Sequence, residues 1–302
     1  MSWVALAIIS HVFWGLNNIG EKFLIDKHFK NPYVYMLLGC FIGGVSLVIL
    51  PFIDFVWPNA KQLLFLFISS TGYFVGITFY IRSVQIEEIS RINVLWNFIP
   101  IFSFLGAWFF IGEKLSITEV VAFAMLLLGG FSASIHAQSF GRFKLSKALY
   151  LMLLCCVFFA GYDVSLRYLL VSGYPFSSAF ICNSVLIIVI SFVVLLFNRK
   201  LRNDVQKERQ HYLLPKIITF IVIVSILSRV GTLFNTWAIS LGPVSLVNAM
   251  EGFQVLFVFL VVVLISIFVP KIIKEEIDRK NIILKIISFI FLLLGMTILY
   301  LA

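Results

Sequence analysis

Three charged side chains sit inside long apolar runs of this sequence: Asp163, Arg229 and Glu251. An ionised group at mid-bilayer costs about 2.5–3.5 kcal/mol on insertion scales, so each needs a partner or a wet cavity. Counted along their helices at about 1.5 Å per residue, the three fall at similar depth. Two acids and one base at one level read as a polar cluster that could hold a solute or exchange a proton. The plainer alternative is a structural ion pair pinning helices together, because Arg229 requires an acid wherever it sits.

Amides and aromatics recur at helical spacing around that cluster. Asn93, Trp96, Asn97 and Pro100 share one face of a run, and Asn248, Glu251 and Val255 share the matching face of a later one. Ser225, Arg229, Thr232 and Thr236 form a stripe with Asn235 beside it, and Ser69, Tyr73, Gly76 and Tyr80 form another. Asn18 shares a face with His11 and Gly15, a histidine better read as hydrogen-bonded packing than as a titrating group. The expected substrate-contacting set is Arg229, Glu251, Asp163, Asn248, Asn235, Asn18, Asn93, Trp96, Asn97, Tyr73 and Tyr80. In it Arg229 takes an anionic group, Asp163 and Glu251 take an ammonium or a proton, and the amides with Trp96 line the far wall. Any single asparagine is almost as readily an interhelical hydrogen bond of about 0.6 kcal/mol.

The elements that must position these groups are membrane helices. Of 302 residues 61% are hydrophobic and only 12% charged, where a soluble domain carries about 25% charge. Ten apolar runs are long enough to span the hydrocarbon: roughly 3–21, 33–53, 62–82, 90–111, 117–136, 148–170, 175–197, 213–240, 244–269 and 281–301. Ser116 and Glu119 have capping-box spacing at the start of the fifth. Glu113 and Lys114 read as a surface pair just before it. The first run, with no basic residue ahead of it, is expected to be a retained helix rather than a signal peptide. The net charge of +9 reads as basic loops on one side of a bilayer, not as a nucleic-acid surface. Loops after the second, fourth, sixth and eighth spans hold only Lys61, Lys114 and Arg167, and nearly all other Lys and Arg fall in the opposite set. Taken literally, the positive-inside rule puts the basic loops in the cytoplasm and both termini outside.

Catalytic and cofactor signatures are missing. The chain has no Walker sequence, no Gly-x-Ser-x-Gly elbow and no paired Cys or His at metal spacing. Cys40, Cys155, Cys156 and Cys182 read as small core residues. No cofactor, metal or nucleic-acid partner is expected, and the chain is not read as an enzyme.

The runs also repeat. Ile89-Ser90-Arg91-Ile92-Asn93 returns as Val244-Ser245-Leu246-Val247-Asn248, with Gly76 and Gly231 upstream at the same spacing. The stretch from Val12 through Trp14, Asn18 and Leu24 returns from Val157 through Phe159, Asp163 and Leu169. Leu126-Leu127-Leu128-Gly129 returns as Leu292-Leu293-Leu294-Gly295. Residues 1–140 and 141–302 therefore read as two copies of a five-helix unit. An odd number of spans makes the second copy enter the membrane from the opposite side, as inverted repeats do.

With the Trp14-Gly15 pair and the Gly112-Glu113-Lys114-Leu115 ending of the fourth span, this pattern resembles the drug/metabolite transporter superfamily. More narrowly it resembles ten-span members with two EamA-like repeats. The second copy lacks the Gly-Glu-Lys ending, carrying Ile267-Phe268-Val269 there. The resemblance implies an all-α, multi-pass membrane protein that exports amino acids, related metabolites or drugs, often coupled to protons. It also implies termini in the cytoplasm, against the charge pattern. The expectation is a secondary transporter of a small polar or amphipathic metabolite in a bacterial inner membrane. The alternatives are an intramembrane enzyme acting on lipid-linked substrates and a scaffold that transports nothing.

Overall fold

The computed structural model describes residues 2–86, 95–134, 147–268 and 279–301, all helices and connections, with no strand among them. The elements are α1 (Trp3–His28), α2 (Pro32–Ile42) continued by a 3-10 helix (Gly43–Phe52), α3 (Ala60–Val84) and α4 (Phe98–Gly106), continued by a π turn (Ala107–Ile111). Then come α5 (Ile117–Ser134), α6 (Lys147–Val171), α7 (Phe176–Phe197), α8 (Arg199–Tyr212) and α9 (Pro215–Leu241). The last are α10 (Val244–Ala249), α11 (Glu251–Phe268) and α12 (Arg279–Leu301). Among the described residues nine stretches are long and apolar enough to cross a bilayer, and Phe98–Ile111 is a shorter apolar helix. The start of the expected fourth span, Asn93 included, lies outside the described residues.

Local chemistry accounts for the ends. Ser116 and Glu119 form the expected capping box, the Ser116 backbone donating to Glu119 at 2.7 Å and the Glu119 backbone to Ser116 at 3.2 Å. Asn59 and Gln62 cap α3 in the same reciprocal way. Pro32 and Pro215 stand in the first turns of α2 and α9, where the missing N–H costs nothing. Gly112 closes the fourth span in the left-handed region, φ 71°, a position that favours glycine. Outward faces carry exposed Phe52, Phe109, Phe110, Phe197 and Tyr300, as lipid contact requires.

Helix partners follow the sequence duplication. α1 packs on α9 and α3 packs on α6, two interfaces that exchange when each helix is replaced by its sequence counterpart. α5 packs on α12, its own counterpart. Side chains repeat the relation. A Cβ on Gly76 would lie 2.8 Å from the Phe159 ring, and one on Gly231 would lie 2.7 Å from the Trp14 ring. A Cβ on Gly129 would meet Leu292 at 2.7 Å, and one on Gly295 would meet Leu126 at 2.9 Å. The glycines are the sockets into which partner side chains fit, which is what close packing in lipid demands.

The ninth span is broken between α10 and α11, and α4 starts after a turn at the equivalent place. The fourth span turns at Trp96 and Asn97, and the ninth turns at Met250, between α10 and α11. Pro100 explains the first turn, since its ring excludes the carbonyl four residues back, that of Trp96. Broken helices at mid-membrane are tolerated where they are buried in protein or line a cavity.

One sequence expectation needs correction here. α1 does not stop at residue 21 but continues to His28, so Glu21 lies inside the helix. Lys285, within the tenth run, sits in α12, 8% exposed, with its ammonium on the Ala133 carbonyl and 5.3 Å above the Phe259 ring. The carbonyls that end α5 and the aromatic face together satisfy that charge.

Candidate functional site

The two predicted stripes meet. Tyr73 of α3 and Arg229, Thr232 and Thr236 of α9 line a narrow cavity of about 10 Å³, room for about one water. Tyr162 of α6 and Phe180, Asn183, Ser184 and Ile187 of α7 complete it. The α7 residues escaped sequence reading because short polar side chains in an apolar helix look like ordinary packing. Ser69, from the α3 stripe, instead donates to the Tyr162 carbonyl at 3.1 Å and accepts from Asn183 at 3.3 Å, a structural bond.

Arg229 is 7% exposed. Its guanidinium donates to the Tyr73 hydroxyl at 3.4 Å and stands 5.9 Å from that ring's centroid, while its Nε has no partner. Among the described residues no carboxylate lies within ion-pair distance of it, so the expected acid partner is replaced by a phenol. A Cβ on Gly43, where α2 passes into its 3-10 continuation, would lie 3.5 Å from the guanidinium carbon. Backbone small enough to approach therefore leaves room for the head group.

Asp163 and Asn248 form a second group. The Asn248 amide donates to Asp163 at 2.9 Å and to the Ser103 hydroxyl at 2.8 Å, tying α10 to α6 and α4. Asp163 is 6% exposed, and its other oxygen, Oδ1, has no partner. Glu251, half-buried at the start of α11, lies within the field of Asp163. The structure thus separates Arg229, set against a phenol, from Asp163, which Asn248 holds. Tyr162 joins them: its ring sits 5.6 Å from Tyr73, and it feels both Asp163 and Arg229.

An aromatic wall connects the two groups on one side. Ring centroids run Tyr73 to Phe159 at 5.6 Å, Phe159 to Trp96 at 5.4 Å, and Trp96 to Tyr80 at 5.0 Å. Phe159 and Tyr162 were not singled out in sequence because phenylalanine and tyrosine are common in every span. Glu21 was missed for a different reason, its misplacement at a span end. It lies within the electrostatic reach of Tyr35, Tyr73 and Tyr80.

Other predicted residues go elsewhere. Asn97 turns away from Trp96 and donates to Ser134 of α5 at 2.9 Å, so the turn separates two residues expected on one face. Asn235 is buried with an unpartnered oxygen, and Asn18 is exposed on α1. His11 is the packing histidine expected, 3.2 Å from Gln254 and 3.5 Å from the Val247 carbonyl. No group of three metal-ligating side chains occurs among the described residues.

Glu113 is not a surface partner of Lys114. Its Oε2 meets Arg167 Nε at 3.0 Å, both side chains nearly buried, and Arg167 also donates to the Ile239 carbonyl at 2.7 Å. Burial pushes the Glu113 carboxyl up from its ordinary value, and Arg167 pulls it part of the way back. At the opposite ends of these helices, Glu208 of α8 accepts from the Asn31 backbone at 3.0 Å and Asp204 from the Asn31 amide at 2.9 Å.

Comparison with known proteins agrees with this architecture. Residues 1–135 match the EamA-like transporter family. A solved crystal structure of a protein superposes with a TM-score of 0.69 at 16% identity, covering 98% of this chain and 96% of the other. No curated protein matches the chain. The chain thus resembles the drug/metabolite transporter superfamily, with the family match confined to its first half, and its fold is that of an all-α, multi-pass membrane protein.

Proposed function

We propose that the protein is a secondary transporter that exports a small polar or amphipathic metabolite, such as an amino acid. Residues 1–140 and 141–302 act as two inverted units that rock against each other around a central site. Arg229 holds an anionic group and Asp163 with Glu251 holds an ammonium or exchanges a proton. Tyr73, Tyr80, Trp96, Asn248 and Asn235 shape the walls, and Asn18 serves the approach. Asn97 acts indirectly, by fixing the turn in the fourth span to α5. A bacterial inner membrane would supply the proton gradient for such coupling.

The observation that carries this reading is a pair of buried polar atoms with nothing to bond. Asp163 Oδ1 and Arg229 Nε lack partners among the described residues, in an interior where an unpaired ion costs several kcal/mol. A scaffold would gain by pairing or deleting them, whereas a carrier needs them for cargo. Counterflow in liposomes tests it. Purified protein should drive uptake of a labelled metabolite against a preloaded pool, and chemical conversion without uptake would replace the carrier with an enzyme.

A further inference from the structure

Helix α8 has no counterpart in the first copy. The matching connection there, residues 53–59, runs from the 3-10 helix to α3 without a helix. The five-helix unit therefore does not need α8, and its side chains tell what it serves. Asn198 starts it, accepting from the Leu201 backbone at 3.0 Å. At about 1.5 Å per residue it runs about 21 Å, between the end of α7 and the start of α9 and against α2.

Its charges are sorted by face. Leu201, Asp204, Val205, Glu208 and Tyr212 fall on one stripe. Leu201 and Tyr212 are buried, and Tyr212 stacks on Phe29 at 6.4 Å between ring centroids. Both acids of the helix turn inward, to the α1–α2 connection. Glu208 accepts from the Lys30 and Asn31 backbones at 3.3 and 3.0 Å, and Asp204 accepts from the Asn31 amide at 2.9 Å. The cations stay outside. Arg199, Lys200, Arg202, Lys207 and Arg209 are all exposed, with Lys200 and Lys207 along one flank and Arg202 and Arg209 along the other. Arg202 also donates to the Leu196 carbonyl at 3.2 Å, closing the end of α7. Lys27, Lys30 and Lys216 are exposed at the same end of the bundle.

The residues at its two ends set the depth of α8. Phe197, just before it, is 85% exposed, and Leu213 and Leu214, just after it, are exposed as well. Apolar side chains so open at the ends of membrane spans meet lipid. The helix thus lies within a turn of the hydrocarbon, at the level of the head groups. Cations at that level, with both acids of the helix facing the other way, complement the phosphates of an anionic leaflet. Water solvates either sign equally well and would not require this sorting.

We propose that the outer face of α8 is a docking surface for the head groups of anionic phospholipid in the leaflet that it meets. Phosphates seat along the two flanks, Lys200 with Lys207 and Arg202 with Arg209, and Arg199 adds to the first turn. Held by lipid outside and by Asn31 inside, the helix fastens the α1–α2 connection to the ends of α7 and α9.

The purified full chain in a neutral detergent is titrated with phosphatidylglycerol or phosphatidylcholine of identical acyl chains. Bound lipid is read by native mass spectrometry, and stability by melting temperature. Phosphatidylglycerol should bind about tenfold tighter or more, and raise the melting temperature. Sodium chloride at about 1 M, where screening acts within about 3 Å, should erase both differences. Lys207→Gln alone should weaken phosphatidylglycerol about fivefold. Lys200→Gln with Lys207→Gln and Arg209→Gln should abolish the preference and leave the lipid-free melting temperature unchanged. Lys61→Gln, exposed at the other end of the bundle, should alter neither. Equal binding of the two lipids, or a preference that survives the triple variant, overturns the proposal. Inorganic phosphate that reproduces the melting shift at equal concentration makes the face a site for free anions, and overturns it too. If the triple variant fails to fold, Lys207→Gln and the salt series decide, and an affinity unchanged in either sinks the proposal.

Discussion

Arg167 reaches across from α6 to place its Nε 3.0 Å from the Glu113 carboxylate, joining the end of the fourth span to the end of the sixth. The same guanidinium binds the Ile239 and Ser240 carbonyls that close α9. One side chain therefore ties helices from both halves of the chain at one end of the bundle. Removing the acid strands a nearly buried cation. Glu113→Ala should cost about 2–3 kcal/mol, read as a lower melting temperature in detergent. Glu113→Ala with Arg167→Leu should recover a large part of that loss, and failure to recover would mean that the pair itself contributes little.

Acid should loosen that tie early. Burial raises the Glu113 carboxyl, so its charged form is lost at a higher pH than for a free glutamate. The sign for stability is opposite: a raised folded-state value favours folding below the unfolded-state value, and that contribution is lost as pH rises through the folded-state one. Infrared difference spectra should show a protonated carboxyl band appearing above the usual carboxylate range. That band should vanish in Glu113→Gln, and a band that appears only in the ordinary range would contradict the assignment.

The glycine sockets make a symmetric prediction. Gly76→Ala and Gly231→Ala each push a methyl to within 2.8 Å and 2.7 Å of an aromatic ring, so each should destabilise by about 1–3 kcal/mol. Trimming the ring opposite, as in Gly231→Ala with Trp14→Leu, should relieve the clash. If neither substitution lowers the melting temperature, the α3–α6 and α1–α9 seams are looser than described.

Arg229 separates function from support. Arg229→Ala removes a cation whose partner is a neutral phenol, so no buried acid is orphaned among the described residues. Folded yield should stay largely intact while counterflow falls by at least tenfold. A variant that transports normally would restrict Arg229 to holding α9 against α3.

Much of the fold was legible because lipid imposes simple rules on length and apolarity. The spans, the Ser116–Glu119 cap and the shared cleft of Tyr73 with Arg229, Thr232 and Thr236 all followed from spacing. What escaped depends on contacts far apart in sequence or on small deviations of the backbone. Glu113 was matched with its neighbour Lys114 because Arg167 lies 54 residues away. Asn97 and Trp96 were placed on one face because an unbroken helix was assumed, although Pro100 was the signal for a turn there. Arg229 and Asp163 have equivalent depths but different faces, and depth alone does not tell faces apart.

Two rigid tethers stand at opposite ends of the helices, Arg167 with Glu113 at one and Asn31 with Glu208 at the other. Rocking of two units must loosen one as it tightens the other. Spin labels at Lys114→Cys with Leu241→Cys report the first end, and labels at Lys30→Cys with Lys207→Cys report the second, in a background without native cysteines. Adding transported solute to protein in lipid should lengthen one distance distribution and shorten the other in equal proportion of molecules. Two distributions that stay fixed while the same preparation carries out counterflow would contradict the account.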